Sequence, residues 1–142
     1  MSTVPSPTAT GFDLNVPATA ENVAVVRHAF GGLGEALHLD EHLIADIKLA
    51  VTEACTNVVV HAYPDGGGQM DISAEVDGSM LMIVVADHGS GLLPRLDSPG
   101  LGLGLPLIAT LATSLELDTE SERTLVRIAF DLDAPVGDRS KR

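Results

Sequence analysis

Glu53, Asn57 and His61 stand four residues apart within the stretch EACTNVVVHAY, residues 53–63. At about 100° of rotation per helical residue, steps of four bring a carboxylate, an amide and an imidazole onto one slowly drifting face. The chemistry open to such a line is definite: a carboxylate accepts a proton from a hydroxyl, and an amide oxygen is a hard ligand suited to Mg²⁺. A solvated polar helix face has the same spacing, and spacing alone does not choose between the two readings.

Two further segments have chemical potential. In ADHGSGL, residues 86–92, an apolar run ends in Asp87 and the chain turns through Gly89 and Gly91. A carboxylate half shielded at a strand end accepts a hydrogen bond from an amino group such as that of adenine, and glycines let a flat ligand approach the backbone. An ordinary Asp-Gly turn is the competing reading. In PGLGLGLPLI, residues 99–108, Gly100, Gly102 and Gly104 precede an apolar helical pattern. Free N–H groups at a helix start attract anions, although a flexible loop explains the same glycines. No Lys-Ser/Thr pair follows, as a Walker A loop requires, and no strand ends just before, as a dinucleotide fingerprint requires. Cys55 and His61 point away from each other on a helix, which makes Cys55 a small buried residue rather than a nucleophile. His28, His38, His42 and His88 lack the companions of a metal cluster.

The elements that must position these residues are legible in outline. FDLNVP, residues 12–17, alternates as a short strand. Thr19 then caps a helix whose apolar face is Val23, Val26, Phe30 and Leu33, with an end blurred by Gly31, Gly32 and Gly34. Asp40 caps a longer helix carrying Leu43, Ile47, Ala50, Val51, Ala54 and Val58, and YPDGGG at 63–68 stops it. Residues 70–76 and 79–87 form a hairpin about a turn at Asp77-Gly78. A glycine-rich loop, a helix beginning near Pro106 and strands at about 115–119 and 124–132 complete the chain, with Val126, Ile128, Phe130 and Leu132 on one face of the last. The order β-α-α-β-β-α-β-β predicts an α+β fold with helices layered on one mainly antiparallel sheet.

The chain has 142 residues, enough for one domain with a real core. The domain is placed at 11–133, between aperiodic segments at 1–10 and 134–142 that are expected to lack fixed structure. Apolar residues make up 45% but aromatics only 3%, so Val, Leu, Ile and Ala must build that core. The net charge of −12 opposes attraction to nucleic acid or an anionic membrane and favours a basic protein partner. The longest apolar run, MLMIVVA at 80–86, cannot span a bilayer, the first ten residues lack the features of a signal peptide, and a single cysteine suits a reducing compartment. The expected location is the cytoplasm.

The joint occurrence of E-x-x-x-N on a helix, D-x-G-x-G after a strand and a glycine-rich stretch opening another helix resembles the N, G1 and G2 boxes of the GHKL ATPase and kinase superfamily. More narrowly, LAVTEACTNVVVHAYPDGGG in so small a domain resembles the anti-sigma-factor serine kinases of bacterial partner-switching systems, over roughly residues 12–132. The resemblance implies a two-layer α/β sandwich of Bergerat type that uses ATP and Mg²⁺. It makes Glu53 the catalytic general base, Asn57 the Mg²⁺ ligand and Asp87 the adenine-reading carboxylate beside Gly89 and Gly91, and sets Gly100, Gly102 and Gly104 along the triphosphate. His61 matches an N-x-x-x-H position that either lines the phosphate side or stabilises the helix end. Thr124 corresponds to a hydroxyl assisting adenine recognition, with Arg-Thr here for the usual Gly-Thr.

Two departures stand out. Only LLPRLDSP separates Gly91 from Gly100, a shorter lid than in relatives, and Ser98-Pro99 occupies the place of an arginine ahead of the second glycine box. The nearest basic residue, Arg95, is read as solvated rather than as a γ-phosphate ligand. The implied partners are an anti-sigma-factor antagonist as phosphorylation substrate and a sigma factor, with a homodimer as the assembly. The rival is a nucleotide-binding module that sequesters a protein without phosphotransfer.

Overall fold

The computed structural model describes residues 10–89 and 104–134. Five strands, β1 (Gly11–Pro17), β2 (Gln69–Asp77), β3 (Met80–Asp87), β4 (Ser114–Glu120) and β5 (Arg123–Asp131), form one sheet in the order β1-β2-β3-β5-β4. Every neighbouring pair is antiparallel. Three helices, α1 (Ala20–Ala36), α2 (Glu41–Asn57) and α3 (Gly104–Leu111), supply the second layer, so the architecture is the expected α+β sandwich.

The helices begin where side-chain chemistry provides caps. Thr19 Oγ1 accepts from the Asn22 N–H at 3.3 Å, and Asp40 Oδ1 accepts from the Leu43 N–H at 2.9 Å, each satisfying a donor orphaned in a first turn. The glycines of α1 do not end it. Gly34 is buried against Ile44, where an added Cβ would lie 2.6 Å from Cγ1, and it lets α1 and α2 approach. The helix stops instead in a Schellman arrangement: the Leu39 N–H reaches the Gly34 carbonyl and the His38 N–H reaches Glu35, with His38 at φ 59° in the place usually given to glycine.

Inward side chains of the sheet alternate with outward ones, as a half-covered sheet demands. Ile72, Leu81, Ile83, Val85, Ile128 and Phe130 meet Val26, Phe30, Ile47, Val51, Leu105 and Ile108 from the helices, all at most 1% exposed. Phe12 and Phe30 close the β1 side edge to face, with centroids 4.9 Å apart. On β5, Val126, Ile128 and Phe130 are buried with Leu132 packed against the core, but Leu125 and Ala129 on the outward face are also buried, which alternation alone does not predict for an uncovered face.

Two local expectations are corrected and a third is met. The β2–β3 loop is Gly78-Ser79, one residue later than the expected Asp77-Gly78, because Asp77 pairs with Met80; Gly78 at φ 63° suits the first position of a type II′ turn. The third helix starts at Gly104, which puts Pro106 in its first turn as expected. Finally, α2 does not run regularly into the YPDGGG stop: residues Val58–Ala62 form a π-helical turn. Such turns insert a residue into the helical register and concentrate at functional sites.

Candidate functional site

The site grows from one end of the sheet, where β3 and the π-helical turn both terminate. Asp87 is the last residue of β3 and takes its place in the inward series Leu81, Ile83, Val85, so its carboxylate faces the helical layer. It is 8% exposed and Thr124 is 4% exposed, and these two are the buried polar or charged residues among the described ones. They are direct partners in the β3–β5 ladder, while on the other side Asp87 pairs with the fully buried Met70. A carboxylate, a hydroxyl and a thioether thus share one row.

Asp87 Oδ1 accepts from the Gly89 N–H at 2.9 Å, closing the turn that follows the strand and leaving Oδ2 for another donor. Burial raises the Asp87 pKa above the ordinary aspartate value, against the opposing pull of the Gly89 N–H and of His88. Gly89 passes directly against the end of the π-helical turn; an added Cβ would collide with the Ala62 carbonyl oxygen. A glycine is therefore required here for close backbone approach.

Along the helix, Glu53, Asn57 and His61 are each half-buried. The Asn57 Nδ2 is buried with no hydrogen-bond partner among the described residues, a costly arrangement unless a ligand or water supplies the missing acceptor. Glu53 and His61 are engaged by no hydrogen bond or ion pair among the described residues. The π-helical turn changes one geometric expectation. It takes more residues per turn than an α-helix, so the step from Asn57 to His61 does not continue the steady drift that holds from Glu53 to Asn57. Cys55 is buried and inert, its thiol pushed up to about 12 by desolvation. Gly91, Gly100, Gly102 and Arg95 lie outside the described residues, and Gly104 is the first residue of α3.

The donor set fits a nucleotide with a magnesium ion better than a metal alone. Among the described residues no group of three or more His, Cys, Asp or Glu could hold an ion. Magnesium bound through one protein oxygen would draw its remaining ligands from phosphates and water, its usual habit in phosphoryl-transfer sites. A depression of about 390 Å³ on the outward face of the sheet, lined by Asp13, Asn15, Asp71, Val84, Ala86 and Arg123, contains none of these residues.

Sequence reasoning missed Tyr63, the chain's only tyrosine. Its hydroxyl donates to the Gln69 carbonyl at 2.6 Å and accepts from the His88 N–H at 2.9 Å, beside Asp87. An aromatic residue with a polar tip just before a glycine-rich stop was the available signal. It missed Asp71 as well, whose carboxylate on the outward face lies 3.6 Å from His88 Nε2 and 3.8 Å from Arg123, the chain neighbours of Asp87 and Thr124.

With known proteins, the chain matches the histidine kinase-like ATPase domain family over residues 16–130. It is 38% identical to the serine-protein kinase RsbW of Halalkalibacterium halodurans, with 83% of this chain and 82% of that protein covered. The RsbW of Bacillus thuringiensis is 31% identical with 83% of each covered. Among solved structures, the RsbU and RsbW domains of a Mycobacterium tuberculosis protein superpose with a TM-score of 0.71 at 21% identity, covering 89% of this chain and 33% of that one. The SiaB–SiaC complex from Pseudomonas aeruginosa gives 0.61 at 14% identity, covering 84% and 88%. At such identities the structural likeness concerns the fold.

Proposed function

Because the chain belongs to the histidine kinase-like ATPase domain family, alongside the serine-protein kinases of RsbW type, we propose that it is an ATP- and Mg²⁺-dependent protein serine kinase of a partner-switching system. Its substrate is a small anti-sigma-factor antagonist and its sequestered partner a sigma factor. The observation that carries the nucleotide reading is the buried pair Asp87 and Thr124, facing inward at a strand end beside a glycine-lined turn.

Each residue then has a distinct task. Asp87 Oδ2 accepts from the exocyclic amino group of adenine, Thr124 adds a hydroxyl to the same edge, and Gly89 gives the base access to backbone. Asn57 Oδ1 would hold Mg²⁺, while its Nδ2, unpartnered among the described residues, would donate to a phosphate oxygen. His61 lines the phosphate side, Gly91 accompanies Asp87 at the adenine edge, and Gly100, Gly102 and Gly104 border the triphosphate. The magnesium ion supplies charge neutralisation at the phosphates. Glu53, whose side chain has no hydrogen bond or ion pair among the described residues, accepts the proton of the attacking serine hydroxyl. Positioning and electrostatics account for most of the acceleration in phosphoryl transfer.

Among the described residues no helix is long and apolar enough to cross a membrane. The net charge of −12 complements a basic partner surface better than nucleic acid; the proposed location is the cytoplasm, in line with a single cysteine, and the proposed assembly is the homodimer that the family resemblance implies. Incubation with ATP, Mg²⁺ and the cognate antagonist tests the function: phosphoserine on the antagonist is expected. A stable complex without phosphoserine would instead establish a sequestering module.

A further inference from the structure

Resting on that nucleotide reading, we infer that Tyr63 is the positioning residue of the adenine end of the site, acting by ending the β2–β3 ladder at the residue that reads the base. The ladder between these strands runs in unbroken register from Asp77 and Met80 to Met70 and Asp87. The next pair in that register is Gln69 and His88, and it is not bridged directly. The Tyr63 hydroxyl lies between the two, donating to the Gln69 carbonyl at 2.6 Å and accepting from the His88 N–H at 2.9 Å.

The phenol thus stands in for the missing rung. Both backbone groups stay satisfied through the phenol instead of through each other, so the ladder with β2 ends at Asp87. The departing chain packs Gly89 against the Ala62 carbonyl and aims the Gly89 N–H at Asp87 Oδ1. That turn fixes which carboxylate oxygen remains free. The ring is itself held by shape: an added Cβ on Gly68 would fall on the Tyr63 ring, so the tyrosine lies flat on a glycine backbone.

Tyr63 also caps the π-helical turn that follows Asn57 and contains His61. One hydroxyl therefore joins the helix of the phosphate side to the strand end of the base side. Asp71 reaches His88 from the outward face only through a pair at 3.6 Å whose side chains are 53% and 34% exposed, which is too solvated to dictate where the ladder ends.

Tyr63→Phe removes the hydroxyl and keeps the ring. The expected result is a folded protein whose affinity for ATP and for ADP falls on the order of fivefold, as loss of one such hydrogen bond predicts, with affinity for magnesium tripolyphosphate unchanged. Added to Asp87→Asn, the substitution should cause no further loss. In the wild-type protein the His88 amide should exchange slowly with deuterium, a readout that does not depend on the variant folding. Unchanged ATP affinity in Tyr63→Phe, an equal loss for tripolyphosphate, or fast exchange at His88 would each overturn the inference while leaving the nucleotide site intact. A wild-type protein that binds no ATP overturns the functional reading and this inference with it.

Discussion

Asp87 and Thr124 face each other across the β3–β5 ladder on the side of the sheet that the helices cover, 8% and 4% exposed. They stand in the same inward rows as Val85 and Val126 of the apolar core, so the fold bears the desolvation of a buried carboxylate. Residues retained at such cost are where function is to be sought.

Asp87→Asn should keep the fold and the bond to the Gly89 N–H, but place an amide where adenine presents its own donor. ATP affinity is expected to fall on the order of a hundredfold, measured by calorimetric titration with Mg²⁺ present. Binding within threefold of wild type would remove Asp87 from the base site.

The same substitution has an opposite consequence for stability. Because the folded-state pKa of Asp87 is raised, the native state holds its proton more tightly than the unfolded chain does, and stability falls as pH rises from the unfolded value of about 3.8 through the folded one. At neutral pH the wild-type protein carries that full penalty and Asp87→Asn does not. Without nucleotide the variant should melt at a higher temperature than the wild type at pH 7, with the gap closing as the pH approaches 4. A lower melting temperature at pH 7 contradicts the assigned direction.

Asn57→Ala deletes a buried donor that has no partner among the described residues, so unfolding by urea without nucleotide should shift little or toward greater stability, by up to about 1 kcal/mol. Magnesium-dependent enhancement of ATP binding should fall at least about tenfold. A variant that is strongly destabilised yet keeps that enhancement would show a purely structural amide.

Glu53→Gln preserves size and hydrogen-bonding capacity but not basicity. ATP binding should remain within about twofold, while phosphotransfer to the antagonist drops about 10²- to 10⁴-fold. Full phosphotransfer would exclude Glu53 as the base.

Gly89→Ala drives a methyl group into the Ala62 carbonyl, which is backbone and cannot rotate away. A stability loss of about 1–3 kcal/mol is expected, together with weaker ATP binding, since the turn that orients Asp87 must move. Thermal melts and titrations of the purified variant check both.

The sequence by itself determined what is local. Thr19 and Asp40 cap their helices because a short oxygen-bearing side chain before an apolar periodic run meets the orphaned N–H groups within three residues. The alternation of 70–76 and 124–132 specified strands with one covered face, and the order of Glu53, Asn57, Asp87 and the glycines carried the family. Tertiary structure decided the rest. That Asp87 meets Thr124 and Met70 follows from inter-strand register, which is set by the collective burial of inward side chains and not by either residue. The approach of Gly34 to Ile44 on the next helix, and the phenol of Tyr63 standing between Gln69 and His88, are contacts between different elements that no single periodic segment displays. A periodicity reading weighs each residue against its near neighbours, whereas the desolvation of Asp87 and the ending of β3 depend on what the folded chain brings to them from elsewhere.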